Sequence, residues 1–496
     1  MARDSATGGR VSVAGVGLDR GSDLPLYQQV AAHLRNQILD GRLSAGTRLL
    51  GSRRLAAELG CSRAIVLTAF DLLYSEGYLR SVPRGGVEVA AVARASAPVV
   101  PAPTPSSTAS DDWLSQRWRS VLDTRYDFDL GSPFSTGTPD VSGFPFDVWS
   151  RLLRQTWANP PRSACVDMSP LGWQPLREAT AEYLGAVRGL LCRPDEVAIT
   201  SASSGALDLC CRMLLDPGDE VWVEEPGFIE ARWSLKAAGA KLVPVPVDEK
   251  GLIVSEGIRR APNAKLAVVT PSHQFPLGVA MNLERRQELL QWAGQHGAWI
   301  IEDDYNSEFR HRDSMTASLK SLDRVGRVIY LGTFSKVMLP SLRIGYLVAS
   351  RLFTEAFARG RARIDVHTAG TTQLALAEFL RQGHLLRYLR RMRKVYAERQ
   401  AAVLDALRTL MPDELEVPPT PAGLHLTALF RPVLEGRITD REVSRLSRAS
   451  GNFIQPLSQC YLGEPDRQGL LVGYGRLDAK EAHPRLAAIA AALRSA

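Results

Sequence analysis

One lysine stands in an apolar stretch of the chain, among side chains that a reactive amine and a bound anion would need. The stretch is LGTFSKVMLPSLRIGYL, residues 331–347, with hydroxyl groups at Thr333 and Ser335, an amine at Lys336 and a guanidinium at Arg343. An amine that attacks a carbonyl group must be neutral, and an apolar setting lowers the pKa of a lysine. Alone, the pattern is more typical of a surface loop, because lysine commonly extends its ammonium group into water.

Two further polar segments follow apolar runs that are typical of buried strands. AWIIEDDY, residues 298–305, ends in Asp303, Asp304 and Tyr305, and EVAIT, residues 196–200, is followed by the hydroxyl-rich SASSGALDL. Acidic or hydroxyl residues at a strand end are common in solvated loops, so each segment alone is weak evidence. Together with the lysine stretch, they indicate a polar site where several strands end.

The elements that would position these residues are predicted by an alternation of patterns. Apolar runs such as EVAIT and EVWVEE are each followed by a segment with apolar residues at helical spacing. This alternation predicts an α/β fold with a mostly parallel sheet and crossover helices, in which ligands bind beyond the carboxyl ends of the strands. The three polar segments are therefore expected at one edge of the sheet.

The N-terminal part of the chain has the pattern of a small helical unit. LYQQVAAHLRNQILDG, residues 26–41, has apolar residues at helical spacing, Ser52 precedes the helical RRLAAELG, and Ser62 occupies the N-cap position of the next helix. YLRSVPRGGVEVA, residues 78–90, predicts two short strands joined by a basic loop. The predicted order is a helix, two helices joined by a tight turn, and a wing.

A segment rich in Ala, Pro, Ser and Thr separates this unit from the rest of the chain. AAVARASAPVVPAPTPSSTAS, residues 90–110, has no helical or strand periodicity and a single charge. Proline-rich segments favour the extended polyproline form, at about 3.1 Å per residue. We therefore expect a head over residues 23–90, a linker over 91–115 and a large region over 116–496.

Composition argues against several classes of protein. Among the 496 residues, 45% are hydrophobic and 23% are charged, as in ordinary globular proteins. No apolar run approaches the roughly 18 residues of a membrane helix, and the N-terminus lacks the apolar core of a signal peptide, so we expect a cytoplasmic protein. The six cysteines are Cys61, Cys165, Cys192, Cys210, Cys211 and Cys460. Their scattered spacing predicts reduced thiols and no bound metal. The net charge of +7 is compatible with nucleic-acid binding without demonstrating it.

The head resembles the winged helix-turn-helix domain of GntR-type regulators over essentially its whole length. The resemblance lies in the LYQQ opening, the SRRLAAELGCSR core and the GYL exit to the wing. It implies binding to operator DNA, with the second helix of the turn in the major groove. The residues that would face double-stranded DNA are Arg53, Ser62, Arg63, Gly85 and Gly86. Leu50, Gly51 and Val87 depart from the usual residues of the family, so an operator sequence does not follow.

From about Phe128 onward, the large region resembles the fold-type-I aminotransferases, which hold pyridoxal 5'-phosphate. TPSHQFPLG, IIEDDYNSEFR and YLGTFSK, followed by PSLRIGYL, are similar to the MocR-type subfamily of GntR regulators, which joins such a region to a winged head. The resemblance implies a large domain with a mostly parallel sheet and a smaller C-terminal α+β subdomain. It also implies a homodimer, because proteins of this fold generally build their sites at a dimer interface.

The resemblance also assigns roles around the cofactor. Lys336 would form the Schiff base, Asp303 would accept a hydrogen bond from the pyridine nitrogen, and Tyr305 would meet the phenolic oxygen. Phe228, in EEPGF, would cover the ring face, and a role in the core is the alternative. The residues that would hold the phosphate are Thr333, Ser335 and Arg343 from one loop and Ser203, Ser204 and Gly205 at a helix N-terminus. Arg476 would hold the carboxylate of an amino-acid effector.

Several positions depart from the usual pattern of such sites. The subfamily commonly has glycine at the position of Ala202 and glutamines near Ser204 and Gly205, which puts the shape of that side of the phosphate site in doubt. Phe275 stands where ordinary aminotransferases have the asparagine that hydrogen-bonds the ring oxygen, and either His273 or Gln274 is a candidate replacement.

The leading hypothesis is a DNA-binding transcription regulator that senses pyridoxal phosphate, or an amino compound through aldimine formation. The alternative is an active pyridoxal-phosphate-dependent aminotransferase that carries a DNA-binding head, because the same lysine, carboxylate and arginine would serve both. A third hypothesis is a cofactor-binding protein whose head only mediates dimerisation.

Overall fold

A computed structural model describes residues 18–82, 86–91, 113–123, 126–309, 317–420 and 422–494 of the chain. The chain forms two compact units, Met1–Ser110 and Asp111–Ala496. Most of the predicted linker, residues 92–112, lies outside the described residues. None of the described helices has the length and apolar character needed to cross a membrane.

The smaller unit has the predicted order of helix, two-helix turn and wing. Its elements are α1 (Leu26–Leu39), α2 (Ser52–Glu58), α3 (Arg63–Ser75), β1 (Leu79–Val82) and β2 (Gly86–Val89). The Ser62 hydroxyl caps α3 by accepting a hydrogen bond from the Ile65 amide at 3.4 Å. β1 and β2 pair antiparallel, with Leu79 opposite Val89. The apolar faces of the three helices and both of these strand residues form one buried core.

The larger unit is built on a sheet with eight strands in the described part of the chain. They are β3 (Val197–Thr200), β4 (Glu220–Glu225), β5 (Lys241–Asp248), β6 (Gly251–Leu252), β7 (Leu266–Val269), β8 (Trp299–Asp304), β9 (Val328–Thr333) and β10 (Gly345–Val348). Their order across the sheet is β3-β10-β9-β8-β7-β4-β5-β6. The five strands from β9 to β5 run parallel, as predicted. β10 is antiparallel to both of its neighbours, and β6 is antiparallel to β5.

Helices cover both faces of this sheet, and further helices follow it in the C-terminal part of the chain. The helices of the unit are α4 (Gln116–Leu122), α5 (Phe146–Ala158), α6 (Arg162–Cys165), α7 (Gln174–Arg188), α8 (Ala202–Leu214), α9 (Ile229–Ala238), α10 (Val254–Arg260), α11 (Leu283–His296), α12 (Leu319–Leu322), α13 (Arg351–Arg361), α14 (Gly370–Arg381), α15 (His384–Leu410), α16 (Asp440–Ala449) and α17 (Ala482–Arg494). Short 3-10 helices occur at Pro194–Glu196, Pro340–Leu342, Pro432–Leu434, Leu457–Cys460 and Ala479–Glu481.

Successive residues of the central strands point into two different cores. In β8, Ile301 packs in the core that includes α8, α9 and α13, whereas Ile300 packs in the core that includes α11. β7 is divided in the same way, between Val268 and Ala267. Because both faces are buried, these strands need continuous apolar runs rather than alternating ones. Their polar residues are therefore concentrated at the strand ends.

A smaller antiparallel sheet follows the long helix α15. It consists of β11 (Leu415–Glu416), β12 (His425–Phe430), β13 (Gln455–Pro456) and β14 (Gly469–Gly473), in the order β11-β12-β14-β13. Side chains of β12, β14, α16 and α17 share one buried core with α15. This is the C-terminal α+β subdomain that the resemblance implied.

Candidate functional site

A cavity of about 180 Å³, here called the strand-end cavity, lies where the parallel strands of the large sheet end. Asp303 is near the end of β8, Thr333 ends β9, and Phe228 follows β4 by three residues. The cavity is lined by Tyr126, Thr136, Gly137, Ala202, Ser203, Ser204, Phe228, Glu230, Phe275, Asp303, Tyr305, Thr333, Ser335, Lys336 and Arg343. The polar segments that sequence patterns indicated therefore meet at one edge of the sheet.

The amine of Lys336 is held in this cavity under conditions that favour its neutral form. Burial lowers the pKa of Lys336, and the positive charge of Arg343 acts in the same direction, against the carboxylates of Glu230 and Asp303. The backbone of Gly137 passes close to the amine, with a φ of +63° that suits glycine. A Cβ added at Gly137 would lie 3.0 Å from Lys336 Nζ, so glycine leaves the amine its space.

Four buried polar atoms at the cavity have no hydrogen-bond partner among the described residues. They are Asp303 Oδ1, the Tyr305 hydroxyl, Ser335 Oγ and Glu230 Oε2. Buried polar groups in folded proteins almost always have a partner, so these atoms indicate a polar ligand. Burial and the negative charge of Asp304 raise the pKa of Asp303 to about 7, while Lys336 lowers it. A cationic donor beside Asp303 would therefore restore its charged form.

One side of the cavity collects the donors that an anion needs. Arg343 Nη2 donates to Ser204 Oγ at 3.1 Å, and the Ser335 amide donates to Thr333 Oγ1 at 3.1 Å. Ser203 and Ser204 belong to the first turn of α8, where free amides and the helix dipole favour negative charge. Ala202 occupies the position where the resembled subfamily commonly has glycine, and it has a φ of 61°. This left-handed conformation costs a residue with a Cβ roughly 1–2 kcal/mol.

Gly205 lies outside the strand-end cavity. It lines a neighbouring cavity of about 190 Å³ together with Thr200 and Asp208. One turn of α8 thus presents Ser203 and Ser204 to one cavity and Gly205 to another.

A second cavity, here called the aromatic cavity, adjoins the first on the wall formed by Lys336. Its volume is about 160 Å³, and it is lined by Tyr126, Phe128, Asp129, Leu130, Phe134, Ser135, Thr136, Glu230, Trp233, Lys336, Phe453 and Gln455. Lys336 and Glu230 line both cavities. The sequence patterns did not identify Glu230, because a glutamate in the first turn of a helix is normally explained by the helix dipole.

Arg476 and Gln274 have other partners than a bound ligand. Arg476 is exposed just after β14 and donates a hydrogen bond to the backbone carbonyl of Leu130, a residue that lines the aromatic cavity. The side-chain amide of Gln274 donates to the carbonyl of Phe275 at 2.6 Å and to that of Pro226 at 2.8 Å. Gln274 therefore supports the loop. Tyr305 lines the strand-end cavity with a hydroxyl that has no partner among the described residues.

A buried polar network lies behind Asp303. Asp304, the next residue of β8, pairs with Arg188 and accepts a hydrogen bond from the Tyr330 hydroxyl at 2.6 Å. Arg188 also donates to Ser272 Oγ at 3.1 Å. Consecutive strand residues point to opposite faces, so one aspartate faces the cavity while the other ties β8 to α7 and β9.

In the smaller unit, the candidate DNA-contacting residues surround the turn and the wing. Arg53 is exposed on α2, and Arg63 is exposed at the start of α3, where its Nε donates to Ser52 Oγ at 3.3 Å. The Ser62 hydroxyl already accepts a hydrogen bond as the N-cap of α3. Gly86 opens β2, and a Cβ there would lie 2.9 Å from Val82 Cγ2. Gly85 lies outside the described residues.

Comparison with known proteins assigns both units to families. Residues 26–89 match the model of bacterial regulatory proteins, gntR family, and residues 137–467 match that of aminotransferase class I and II. The chain is 39% identical over 473 residues to the probable rhizopine catabolism regulatory protein MocR of Rhizobium meliloti, covering 93% of this chain and 92% of that protein.

Two other similarities concern a regulator and an enzyme. The HTH-type pyridoxine biosynthesis transcriptional regulator PdxR of Corynebacterium glutamicum is 31% identical over 450 residues, 91% of this chain and 92% of the relative. The crystal structure of Pyrococcus horikoshii kynurenine aminotransferase in complex with PMP has 26% identity and a TM-score of 0.68, covering 78% of this chain and 96% of that enzyme.

Proposed function

Because the chain belongs to the MocR-type regulators of the GntR family, we propose that pyridoxal phosphate and an amino compound meet at Lys336 and thereby change how the head binds DNA. The chain has a DNA-binding head of the gntR family and an aminotransferase-like domain, and both of the curated relatives named above are regulators. This favours a regulator over a free-standing aminotransferase. As a regulator of operator DNA, it would act in the cytoplasm.

The observation that carries the cofactor proposal is the unpartnered carboxylate oxygen of Asp303 in the same cavity as the Lys336 amine. Pyridoxal phosphate has a pyridine nitrogen, a phenolic oxygen, an aldehyde and a phosphate. Asp303 would hold a proton on the nitrogen, Tyr305 would donate to the phenolic oxygen, and Lys336 would meet the aldehyde. The phosphate would lie among Thr333, Ser203, Ser204, Ser335 and Arg343, with Phe228 over the ring. The residues present therefore fit the group.

When bound, the cofactor supplies an aldehyde that condenses with primary amines. The chain contributes the conditions for this chemistry. Burial lowers the pKa of the Lys336 amine, and Gly137 leaves space beside it. An incoming amine would compete with Lys336 for the aldehyde, so the lysine side chain would be either joined to the cofactor or free. A ligand changes DNA binding only if it binds these two states of the protein with different affinity.

We expect the regulator to act as a homodimer, so that two heads would contact a paired DNA site. Each head would place the start of α3, with Arg63, in the major groove, because an arginine there can donate to guanine O6 and N7 together.

The test is an absorbance titration of the full chain and of Lys336→Ala with pyridoxal phosphate, followed by primary amines. We expect a visible band that requires Lys336 and shifts on addition of an effector amine, with a parallel change in the mobility of a DNA fragment from upstream of the gene. A band that is equal in both proteins, or absent from both, would refute the cofactor site.

Turnover is measured in the same samples. Steady conversion of an amino acid and a keto acid without any effect on DNA mobility would favour the aminotransferase.

A further inference from the structure

We propose that the aromatic cavity is the effector subsite, and that Glu230 in its wall selects primary amines that carry a second cationic amine. This inference rests on the proposed function, because the reacting amine of such a ligand would meet the cofactor at Lys336. The second amine would then extend into the aromatic cavity.

The two cavities are arranged for a ligand that spans them. Lys336, Glu230, Thr136 and Tyr126 line both cavities, so the two cavities adjoin across these four residues. A ligand whose first amine reaches the position of the Lys336 amine would place its other end in the volume of about 160 Å³ beyond it. This volume suits a short chain of a few carbon atoms.

Glu230 supplies the acceptor of this wall that lacks a partner among the described residues. Its Oε2 is buried and has no hydrogen-bond partner among the described residues. Burial raises the pKa of Glu230, and the charge of Lys336 lowers it. A ligand that fills the cavity would expel the remaining water, and burying a carboxylate without a partner is costly. An ammonium group in the cavity would remove that cost, whereas an apolar end would leave it in full.

Among the other polar groups of the wall, Trp233 Nε1 is also buried without a partner among the described residues, but it is a donor and does not hold a cation. Gln455 accepts a hydrogen bond from Thr136 at 2.8 Å and donates to the Tyr126 hydroxyl at 3.1 Å, so its amide is used within the wall. Asp129 accepts from the backbone amide of Gly131 at 2.8 Å. The carboxylates of Glu230 and Asp129 both favour a cationic ligand over an anionic one.

The apolar part of the wall suits a cation as well as a carbon chain. Tyr126 packs edge to face on Trp233, with ring centroids 5.6 Å apart, and stacks on Phe128 at 5.7 Å. Ammonium groups are attracted to aromatic faces, with Trp and Tyr the strongest partners. Aromatic rings together with one carboxylate form the kind of surface that binds an alkylammonium group.

The experiment compares three primary amines of equal chain length: butylamine, 4-amino-1-butanol and 1,4-diaminobutane. Each is titrated into the full chain loaded with pyridoxal phosphate, and half-saturation is read from both absorbance and DNA mobility. The variant is Glu230→Gln, which keeps the shape of the side chain. The control is Glu249→Gln, which removes an exposed carboxylate outside both cavities.

In the wild type and in Glu249→Gln, we expect 1,4-diaminobutane to bind about tenfold to a hundredfold more tightly than butylamine, the usual range for a hydrogen bond to a charged group. In Glu230→Gln, this ratio should fall toward one, with the amino alcohol less affected. The ratio within one protein cancels any change in the reactivity of Lys336.

Three results would overturn the inference. An unchanged diamine-to-butylamine ratio in Glu230→Gln, beside an intact Lys336-dependent band, would show that the cofactor proposal holds and the effector subsite does not. Loss of the band in Glu230→Gln alone would make Glu230 part of the cofactor site instead. Absence of the band in the wild type would refute the cofactor proposal, and the subsite with it.

Discussion

At the scale of single residues, the site depends on two neighbouring aspartates with different surroundings. Asp303 has a carboxylate oxygen that lacks a partner in the strand-end cavity, whereas Asp304 is paired with a buried arginine. Their separation follows from the alternation of side chains along a strand. One substitution should therefore affect cofactor binding, and the other should affect stability.

Asp303→Asn should weaken pyridoxal phosphate binding by about tenfold to a hundredfold, because the amide cannot supply the charge that holds a proton on the pyridine nitrogen. The measurement is the absorbance titration, with far-ultraviolet circular dichroism to confirm folding. An affinity equal to that of the wild type would contradict the role of Asp303.

Asp304→Asn should instead lower the free energy of unfolding, by about 3–5 kcal/mol, because it leaves the Arg188 guanidinium buried without its counter-charge. Urea unfolding of the larger unit measures this loss. A variant as stable as the wild type would mean that Ser272 and Tyr330 satisfy Arg188 without the carboxylate.

At the scale of elements, the sequence patterns predicted the parallel strands, their polar ends and the helix-turn-helix with its wing. Lys336, Asp303, Tyr305 and Arg343 were brought together by the same patterns, because strand ends of a parallel sheet meet at one edge. The direction of β10 was not predictable, since an apolar run of four residues fits either orientation. The position of Glu230 in the cavity wall depends on the rotation of α9 about its axis, and the position of Gly205 outside the strand-end cavity depends on the rotation of α8. Tertiary packing decides both rotations.

The close contact between α8 and β10 leaves no space for a side chain at Gly345. A Cβ at Gly345 would lie 2.7 Å from the carbonyl carbon of Ala202 and 2.8 Å from the Gly332 carbonyl oxygen, both backbone atoms. Gly345→Ala should therefore destabilise the larger unit by about 1–3 kcal/mol. A Cβ at Gly185 in α7 would meet only Leu191 Cδ2, at 3.7 Å.

The matched control is thus Gly185→Ala, which should stabilise by about 0.5–1 kcal/mol as a better helix former. Urea unfolding of both variants measures these changes. Equal effects of the two substitutions would contradict the close packing of α8 on β10.

The buried carboxylates on the central strands predict how stability depends on pH. Burial raises the pKa of Glu224, Glu302 and Asp303 to about 7 each, from the usual range near 4. Between these values the folded state binds more protons than the unfolded state, so the free energy of unfolding should fall as pH rises from about 4 to about 7. Each pKa unit between the two states is worth about 1.4 kcal/mol.

Urea unfolding of the cofactor-free protein at pH 5 and pH 8 measures this dependence, and Asp303→Asn should reduce it. Pyridoxal phosphate should also reduce the fall, because a protonated pyridine nitrogen favours the charged form of Asp303. A stability that rises between pH 5 and pH 8 would contradict the placement of these carboxylates.

At the scale of the whole molecule, the smaller unit carries the helix-turn-helix and the larger unit carries the two cavities. Substitutions in the two units should therefore affect DNA binding and ligand binding separately. Arg63→Ala should weaken binding to the specific DNA fragment by about fivefold to a hundredfold, the usual value of a bidentate contact with a base. It should leave the titration with pyridoxal phosphate unchanged. Arg42→Ala, an exposed arginine on the loop after α1, is the control. Gel shifts with specific and unrelated DNA distinguish the cases, since an equal loss on both would make Arg63 a phosphate contact only.

The shared wall between the two cavities has a consequence for what the regulator would report. Because Lys336 and Glu230 line both cavities, a ligand in one cavity would change the charge and space available to a ligand in the other. By thermodynamic reciprocity, an amine that tightens the hold on the vitamin-derived cofactor is itself bound more tightly in its presence. The regulator would then act as a coincidence detector: its DNA binding would change only when the cofactor and the amine are both present, and would stay unchanged when either is scarce.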